Sequence, residues 1–332
     1  MPGTDPLAYG RGVDTEGLVG LAEIEAAACR ISGVVRRTPV VPTSLGTTYT
    51  PLLLKAESLQ VTGSFKARGA TNAVARLSEQ DRARGVVTHS SGNHAQALAR
   101  AAREAGISAT VVMPRSTPDV KRLATLRHGA RVELVDLSER ASRVEQIRAE
   151  TGAVFVSPFD NADIIAGQGT IGLEILQEVP DLGSVWVPVS GGGLISGIAA
   201  ALKAKAPRVR VIGVEPELAG DLAEGFAKGE RVSWGAERTG RTIADGLRVQ
   251  SVGELNWRHI EAYVDEVVTV GEDAIRSAMR RIVLECKLVC EPSGAVAVAG
   301  FETHRELAGH GTAVAVVSGG NVEPRLLGDL FR

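Results

Sequence analysis

Strand and helix signals alternate through the middle of this chain, and that alternation limits its fold more than any other feature. Residues 85–90 (GVVTHS) form a short β-branched run. Residues 93–105 are alanine-rich, with Gly106 where a helix would be capped. Residues 109–113 (ATVVM) read as the next strand. Ser116, Thr117 and Pro118 then offer an N-cap and a first-turn proline for a helix reaching about His128, closed by Gly129. Residues 132–135, a helix near 139–150 and a strand at 153–156 continue the rhythm. Strands separated by helices cannot pair as hairpins, so they must run parallel through crossover connections.

The rhythm returns later with a different loop. Residues 185–189 (VWVPV) predict a strand, Ser190–Gly193 a glycine turn, 194–204 a helix and 209–214 a strand. Residues 312–317 (TAVAVV) form a continuous apolar strand before Ser318-Gly319-Gly320-Asn321. Residues 220–248, rich in Gly, Glu and Arg, read as loop with short helices. A chain of 332 residues allows about two domains at roughly 150 residues each, and two α/β lobes are expected.

Composition narrows the function. The 37 basic and 39 acidic residues leave a net charge of −2, and there are only 6 Phe, 3 Trp and 3 Tyr. Neither an electrostatic grip on nucleic acid or a membrane surface nor a base-stacking platform is expected. A hydrophobic share of 44% suits a folded globule. No run approaches the ~18 apolar residues of a membrane span. The opening MPGTDPLAYGRGVDTEG lacks the basic and apolar regions of a secretion leader. Cys29, Cys286 and Cys290 cannot all pair and are expected as thiols of a cytoplasmic protein. Cys286 and Cys290, four apart in an apolar helix-like run, are expected to face a core.

Three strings carry chemistry. Ser190-Gly191-Gly192-Gly193-Leu194 follows a strand and opens a helix. Glycine lets the backbone approach an anion, and the helix start offers free N–H groups. That is a phosphate cradle without the Lys-Ser/Thr of a nucleotide P-loop. A dinucleotide reading also exists, with Glu215 as the ribose acid, but Ser196 stands where the third fingerprint glycine belongs. In Ser64-Phe65-Lys66-Ala67-Arg68-Gly69-Ala70, a lysine sits beside an aromatic ring and small residues. Burial lowers an amine's pKa and makes it a nucleophile towards an aldehyde. A cradle and an imine-forming lysine together describe a site for pyridoxal 5'-phosphate (PLP). In Thr88-His-Ser-Ser-Gly-Asn-His-Ala-Gln-Ala97, hydroxyls, an amide and N–H groups cluster at a helix start. This suits a carboxylate or phenolate; capping by Ser91 or Asn93 is the plainer explanation, but two serines, an Asn and a His are more than capping needs.

In this order, the strings resemble fold-type II PLP enzymes of the serine/threonine dehydratase (threonine ammonia-lyase) and serine racemase family. Arg37-Thr-Pro-Val40, Lys55-Ala-Glu-Ser-Leu59, Ala166-Gly-Gln-Gly-Thr170, Glu291-Pro-Ser-Gly-Ala295 and Ser318-Gly-Gly-Asn-Val322 also match. The resemblance overrides the dinucleotide reading. It implies a tryptophan synthase β-like α/β fold with two lobes, each a mostly parallel sheet flanked by helices. Residues 1–84 and 161–332 would form the large PLP-binding domain and 85–160 a small mobile one.

The same resemblance implies the roles. Lys66 would bind the cofactor and act as base, with Phe65 against the ring. Asn93 would meet the phenolic oxygen, Ser190, Gly191, Gly192, Gly193 and Leu194 the phosphate, and Ser318 the pyridine nitrogen. Ser90, Asn93 and His94 would bind the substrate carboxylate, and Ser91 would be the acid/base on the opposite face. A neutral hydroxyl at the pyridine nitrogen makes a shallower electron sink than a carboxylate, which favours elimination. The expected reaction is loss of water from a small β-hydroxy-α-amino acid, such as L-threonine or L-serine, to a 2-oxo acid and ammonia. An amino-acid racemase and a 3-hydroxyaspartate dehydratase, with Arg241 and Arg248 on a second carboxylate, remain alternatives. Glu215, Asp221 and the Ala219 carbonyl give three hard donors on one loop, and the resemblance favours a divalent cation there, Mg²⁺ or Ca²⁺. The Phe159-Asp160 pair departs from animal racemases and favours a dehydratase. A homodimer without a C-terminal regulatory domain is expected.

Overall fold

The computed structural model describes residues 15–332, so the expectation about the amino-terminal segment falls largely on residues outside it. Ten strands are described: β1 (Val40–Pro42), β2 (Leu52–Ala56), β3 (Val86–His89), β4 (Ala109–Pro114), β5 (Arg131–Val135), β6 (Val154–Phe155), β7 (Leu182–Pro188), β8 (Arg210–Pro216), β9 (Glu266–Val270) and β10 (Thr312–Val317). They form two sheets. One is four-stranded, in the order β5-β4-β3-β6, and wholly parallel. The other is six-stranded, in the order β1-β2-β10-β7-β8-β9, and parallel except for the edge strand β1. Proline in a three-residue β1 suits an edge, where a missing N–H costs no ladder bond.

Burial on both faces explains why β10 is almost wholly apolar. Ala313, Ala315 and Val317 join one core cluster, with Trp186, Ile212 and the helices Glu272–Cys286 and Pro292–Thr303. Val314 and Val316 point the other way, into a cluster with Val187, Val211 and helix Gly193–Lys205. Two-sided cover of this kind is the rule for parallel sheets.

Glycine sets how closely two helices approach. Helix Lys66–Ala75 crosses helix Ala162–Glu178 at Gly69 and Gly167, where a Cβ on Gly167 would lie 2.6 Å from the Gly69 Cα. That contact seats the helix whose first residue is Lys66.

Two local expectations change. Pro118 sits outside the helix, at an extended ψ of 140°, and helix Asp119–Arg127 begins one residue later without a side-chain cap from Ser116 or Thr117. Cys286 and Cys290 do face the core, but not from one helix: Cys286 ends its helix, the backbone turns left-handed at Lys287 (φ 58°), and Cys290 lies beyond, fully buried. All three cysteines are free. Among the described residues no helix is long and apolar enough to cross a membrane.

Candidate active site

The site lies where parallel strands end. Ser90 follows β3, Ser190 comes two residues after β7, and Ser318 follows β10 directly. Carboxyl ends of parallel strands are where open α/β sheets bind ligands. Lys66 arrives from the segment after β2. The Phe65 N–H donates to the Ser318 carbonyl (3.1 Å), and Ser64 pairs with Gly319 in an isolated antiparallel bridge. The lysine turn is thereby tied to the end of β10. Lys66 Nζ donates to the Pro158 carbonyl (2.6 Å) and lies 5.0 Å from the Phe65 ring centroid. The side chain is half-buried, and burial pushes its amine down to about 8. A substantial neutral fraction near pH 7–8 is what an amine nucleophile and base requires.

The glycine loop is shaped from outside. Gly192 takes a φ of 91°, a Cβ on Gly191 would enter the Phe159 ring, and one on Gly193 would lie 3.0 Å from the Phe159 carbonyl. The Gly191 carbonyl accepts from Gly253 N (3.1 Å) and Asn256 Nδ2 (2.7 Å), and Ser190 Oγ accepts from Val249 N (3.3 Å). Helix Gly193–Lys205 has no side-chain cap, so its first N–H groups are left for a ligand. The Leu194 side chain is buried in the core, which leaves only its main chain for that purpose. The dinucleotide reading fails physically. Glu215 is fully buried and its carboxylate accepts from Leu222 N and Ala223 N, so it cannot reach a ribose.

Residues 90–94 form the opposite wall. The N-cap of helix Asn93–Glu104 is Gly92, with no side-chain cap, so neither Ser91 nor Asn93 has the capping role that was the plainer explanation of the string. Ser90 Oγ accepts from Gly92 N (3.3 Å). Asn93 Nδ2 donates to Glu291 Oε1 (2.6 Å), and Asn93 Oδ1 accepts from Asn321 Nδ2 (2.7 Å). The His94 ring is buried with Nε2 at the Val156 carbonyl (3.2 Å). Burial, then the nearby Lys66 charge, push it down to about 3, so it is neutral with Nδ1 as a buried acceptor lacking a partner. Ser318 is buried, and its hydroxyl donates to the Ser293 carbonyl at 3.4 Å.

Glu215, near the end of β8, and Asp221, which opens the following helix Asp221–Lys228, meet beside this site; the Val214 carbonyl of β8 accepts from Val189 N of the adjoining loop (2.9 Å). Both are buried, and Asp221 Oδ2 has no hydrogen-bond partner. Burial and then the Asp221 charge push Glu215 well up; burial pushes Asp221 up to about 7. Among the described residues no group of three His, Cys, Asp or Glu side chains that could hold a metal gathers, and Ala219, expected to add a carbonyl, is buried. Arg241 and Arg248 are exposed, and the Arg248 guanidinium is committed to the Thr242 carbonyl (2.5 and 3.0 Å).

The contacts of several residues here are not legible in the sequence. Glu291 and Asn321 lie inside quoted motifs, but nothing in their spacing shows that both grip Asn93. Pro158 and Phe159 link the lysine to the glycine loop. Asp160 accepts from Glu254 N and Leu255 N (3.0 Å each) at the start of helix Glu254–Tyr263.

Two lobes of parallel sheet, a desolvated lysine and a glycine-lined helix start define a fold-type II cofactor enzyme. The family model described as "Pyridoxal-phosphate dependent enzyme" matches residues 31–319, and the chain belongs to that family. The L-threonine ammonia-lyase of Thermotoga maritima is 43% identical over 316 residues, covering 93% of this chain and 77% of its own. A serine racemase of Oryza sativa subsp. indica is 40% identical, covering 95% and 94%. The crystal structure of a threonine deaminase from T.th. superposes with a TM-score of 0.87 at 39% identity, covering 92% of this chain and 99% of that one.

Proposed function

We propose that this enzyme eliminates water from a β-hydroxy-α-amino acid such as L-threonine or L-serine, yielding a 2-oxo acid and ammonia. The observation that carries the reading is the Lys66 amine, held at about 8 by burial and tied to the end of β10. Family membership supplies the cofactor, and the residues fit it: an amine, an uncapped glycine-lined helix start and a neutral hydroxyl at Ser318. PLP, when bound, supplies the electron sink for charge at Cα. Lys66 Nζ would hold the cofactor covalently and, as a free amine, would accept the Cα proton; Phe65 would pack against the cofactor and Asn93 would donate to it. Ser190 and the N–H groups of Gly191, Gly192, Gly193 and Leu194 bind the phosphate. Ser318 meets the ring nitrogen without adding charge. The turn formed by Ser90, Asn93 and His94 holds the carboxylate through main-chain donors. Departure of the β-hydroxyl as water leaves an enamine, which takes up water to give the 2-oxo acid and ammonia.

In this reading residues 85–160 are a small lobe that closes on a large lobe of residues 1–84 and 161–332. Glu215, Asp221 and the Ala219 carbonyl would hold a Mg²⁺ or Ca²⁺ ion, a reading that the unpartnered Asp221 Oδ2 supports. The free cysteines suit a cytoplasmic setting, and a homodimer follows from the resemblance.

Racemisation is the second reading, favoured by one observation. Ser91 is half-buried at the helix start yet does not cap it, so its hydroxyl is free for the role that the resemblance gives it, an acid/base on the face opposite Lys66. Incubation with L-threonine, L-serine and D-serine, followed by assay of 2-oxo acid, ammonia and substrate chirality, tests both readings. Stoichiometric 2-oxo acid and ammonia are expected. Racemised substrate without 2-oxo acid would make the racemase the primary activity.

A further inference from the structure

The amide of Asn93 is fixed by a hydrogen-bond chain whose direction admits no ambiguity. The Thr62 carbonyl can only accept, and it accepts from Asn321 Nδ2 (2.8 Å). The same Nδ2 donates to Asn93, so the atom of Asn93 at that contact is its oxygen (2.7 Å). Asn93 Nδ2 must therefore face Glu291, and the Glu291 oxygen must accept (2.6 Å). An amide nitrogen has two hydrogens. One is spent on Glu291, and the other is the donor left for the cofactor.

Glu291 is itself held. Its N–H donates to the Gly319 carbonyl (3.0 Å), and a Cβ on Gly319 would collide with its carboxyl, so glycine is needed there. Two further charges act on it. Asp245 carries a salt bridge from Lys121, which belongs to helix Asp119–Arg127 beside the four-stranded sheet, while Asp245 belongs to a loop of the other lobe. That loop is fastened next to Glu291, because Gly246 N donates to Ser293 Oγ (2.9 Å).

We infer that Glu291 is a positioning residue that aims the free N–H of Asn93 at the cofactor, and that the interlobe pair Lys121–Asp245 sets the charge on Glu291 and so couples lobe contact to that aim. The inference rests on the proposed role of Asn93. An ionised carboxylate is an acceptor only and holds the amide by a charge-assisted bond; the neutral acid holds it more weakly. Burial first, and the Asp245 charge second, push Glu291 up to about 8; the Asn93 bond and Lys121 oppose them. Opening the lobes would withdraw Lys121 and favour the neutral acid.

The experiment uses holoenzyme, with the absorbance of bound PLP followed against pH and PLP affinity measured on the resolved protein. Wild type should show a spectral transition with a midpoint near 8. Glu291→Gln keeps an acceptor for Asn93, so PLP affinity should stay within about threefold while that transition disappears. Lys121→Met should move the midpoint up and Asp245→Asn should move it down, each by about 0.5 unit or more. A transition unchanged in Glu291→Gln, or midpoints unmoved in both charge variants, overturns the inference. Were Glu291→Gln not to fold, the opposite shifts of the other two variants still decide it. Failure of the underlying reading looks different: wild-type protein would then carry no pyridoxyl group on Lys66 after borohydride reduction.

Discussion

Lys55 and Lys66 stand eleven residues apart in the sequence, and the structure treats them in opposite ways. Lys55 Nζ is fully buried, donates to the Thr38 carbonyl (2.6 Å), and pairs with Glu174 (2.7 Å) and Glu178 (3.7 Å). Beside it Arg68 forms a fork with Glu57 and Glu174. With Arg37 on Glu178, the three cations of that cluster balance its three carboxylates. Lys66 receives a single carbonyl and no carboxylate, and burial alone acts on its amine. A buried lysine is structural where the fold supplies acids and reactive where it withholds them. Glu215 and Asp221 show the converse, two buried acids without a basic partner, and they are the pair proposed to hold a cation.

Substitution separates the two lysines most sharply. Lys66→Ala should lower turnover by about 10³-fold or more while the melting curve of the protein barely moves, because no ion pair is lost. Lys55→Met should do the reverse. It leaves the half-buried Glu174 short of a partner and should cost about 3–5 kcal/mol in urea denaturation, with turnover per folded molecule retained. Equal loss of activity in both folded variants would dissolve the contrast.

The acid pair extends the comparison to pH. A carboxyl raised in the folded state binds its proton more tightly there than in the unfolded chain. Its stabilising effect is therefore complete below the ordinary carboxylate range and is lost as pH rises through the folded midpoint. With Asp221 at about 7 and Glu215 well raised, metal-stripped protein should lose thermal stability as pH climbs from about 4 towards 7 and above. Added Mg²⁺ or Ca²⁺ should restore it, by an amount near zero at about pH 4–5 and largest above about 7. Identical melting of stripped and loaded protein at about pH 8 would make the loop merely acidic.

The smallest effect belongs to Ser91. Alanine there should abolish any racemisation and leave dehydration within about tenfold, read by chiral chromatography of recovered substrate. Because Ser91 is not the helix cap, stability should stay within about 0.5 kcal/mol.

The alternation of strands and helices was visible in the sequence because β3, β4 and β10 are short apolar runs bounded by turn residues. Edge strands β1 and β9 were not foreseen, since three residues ending in proline, or EVVTV beside charged neighbours, carry little pattern of their own. The glycine loop and the 90–94 turn stood out because each joins an unusual composition to a strand end, and Lys66 because it sits beside an aromatic ring among small residues. Glu291, Asn321, Pro158 and Asp245 did not, because their meaning lies in contacts across 92 to 259 residues of sequence and in a seam between two lobes.

The most direct test of the account is where the cofactor sits. Holoenzyme reduced with borohydride and digested should carry the pyridoxyl mass on the peptide containing Lys66, with Lys55 unmodified. Labelling of Lys55 or of any other lysine, with Lys66 untouched, would contradict the claim that the fold made this one amine reactive by leaving it without an acid.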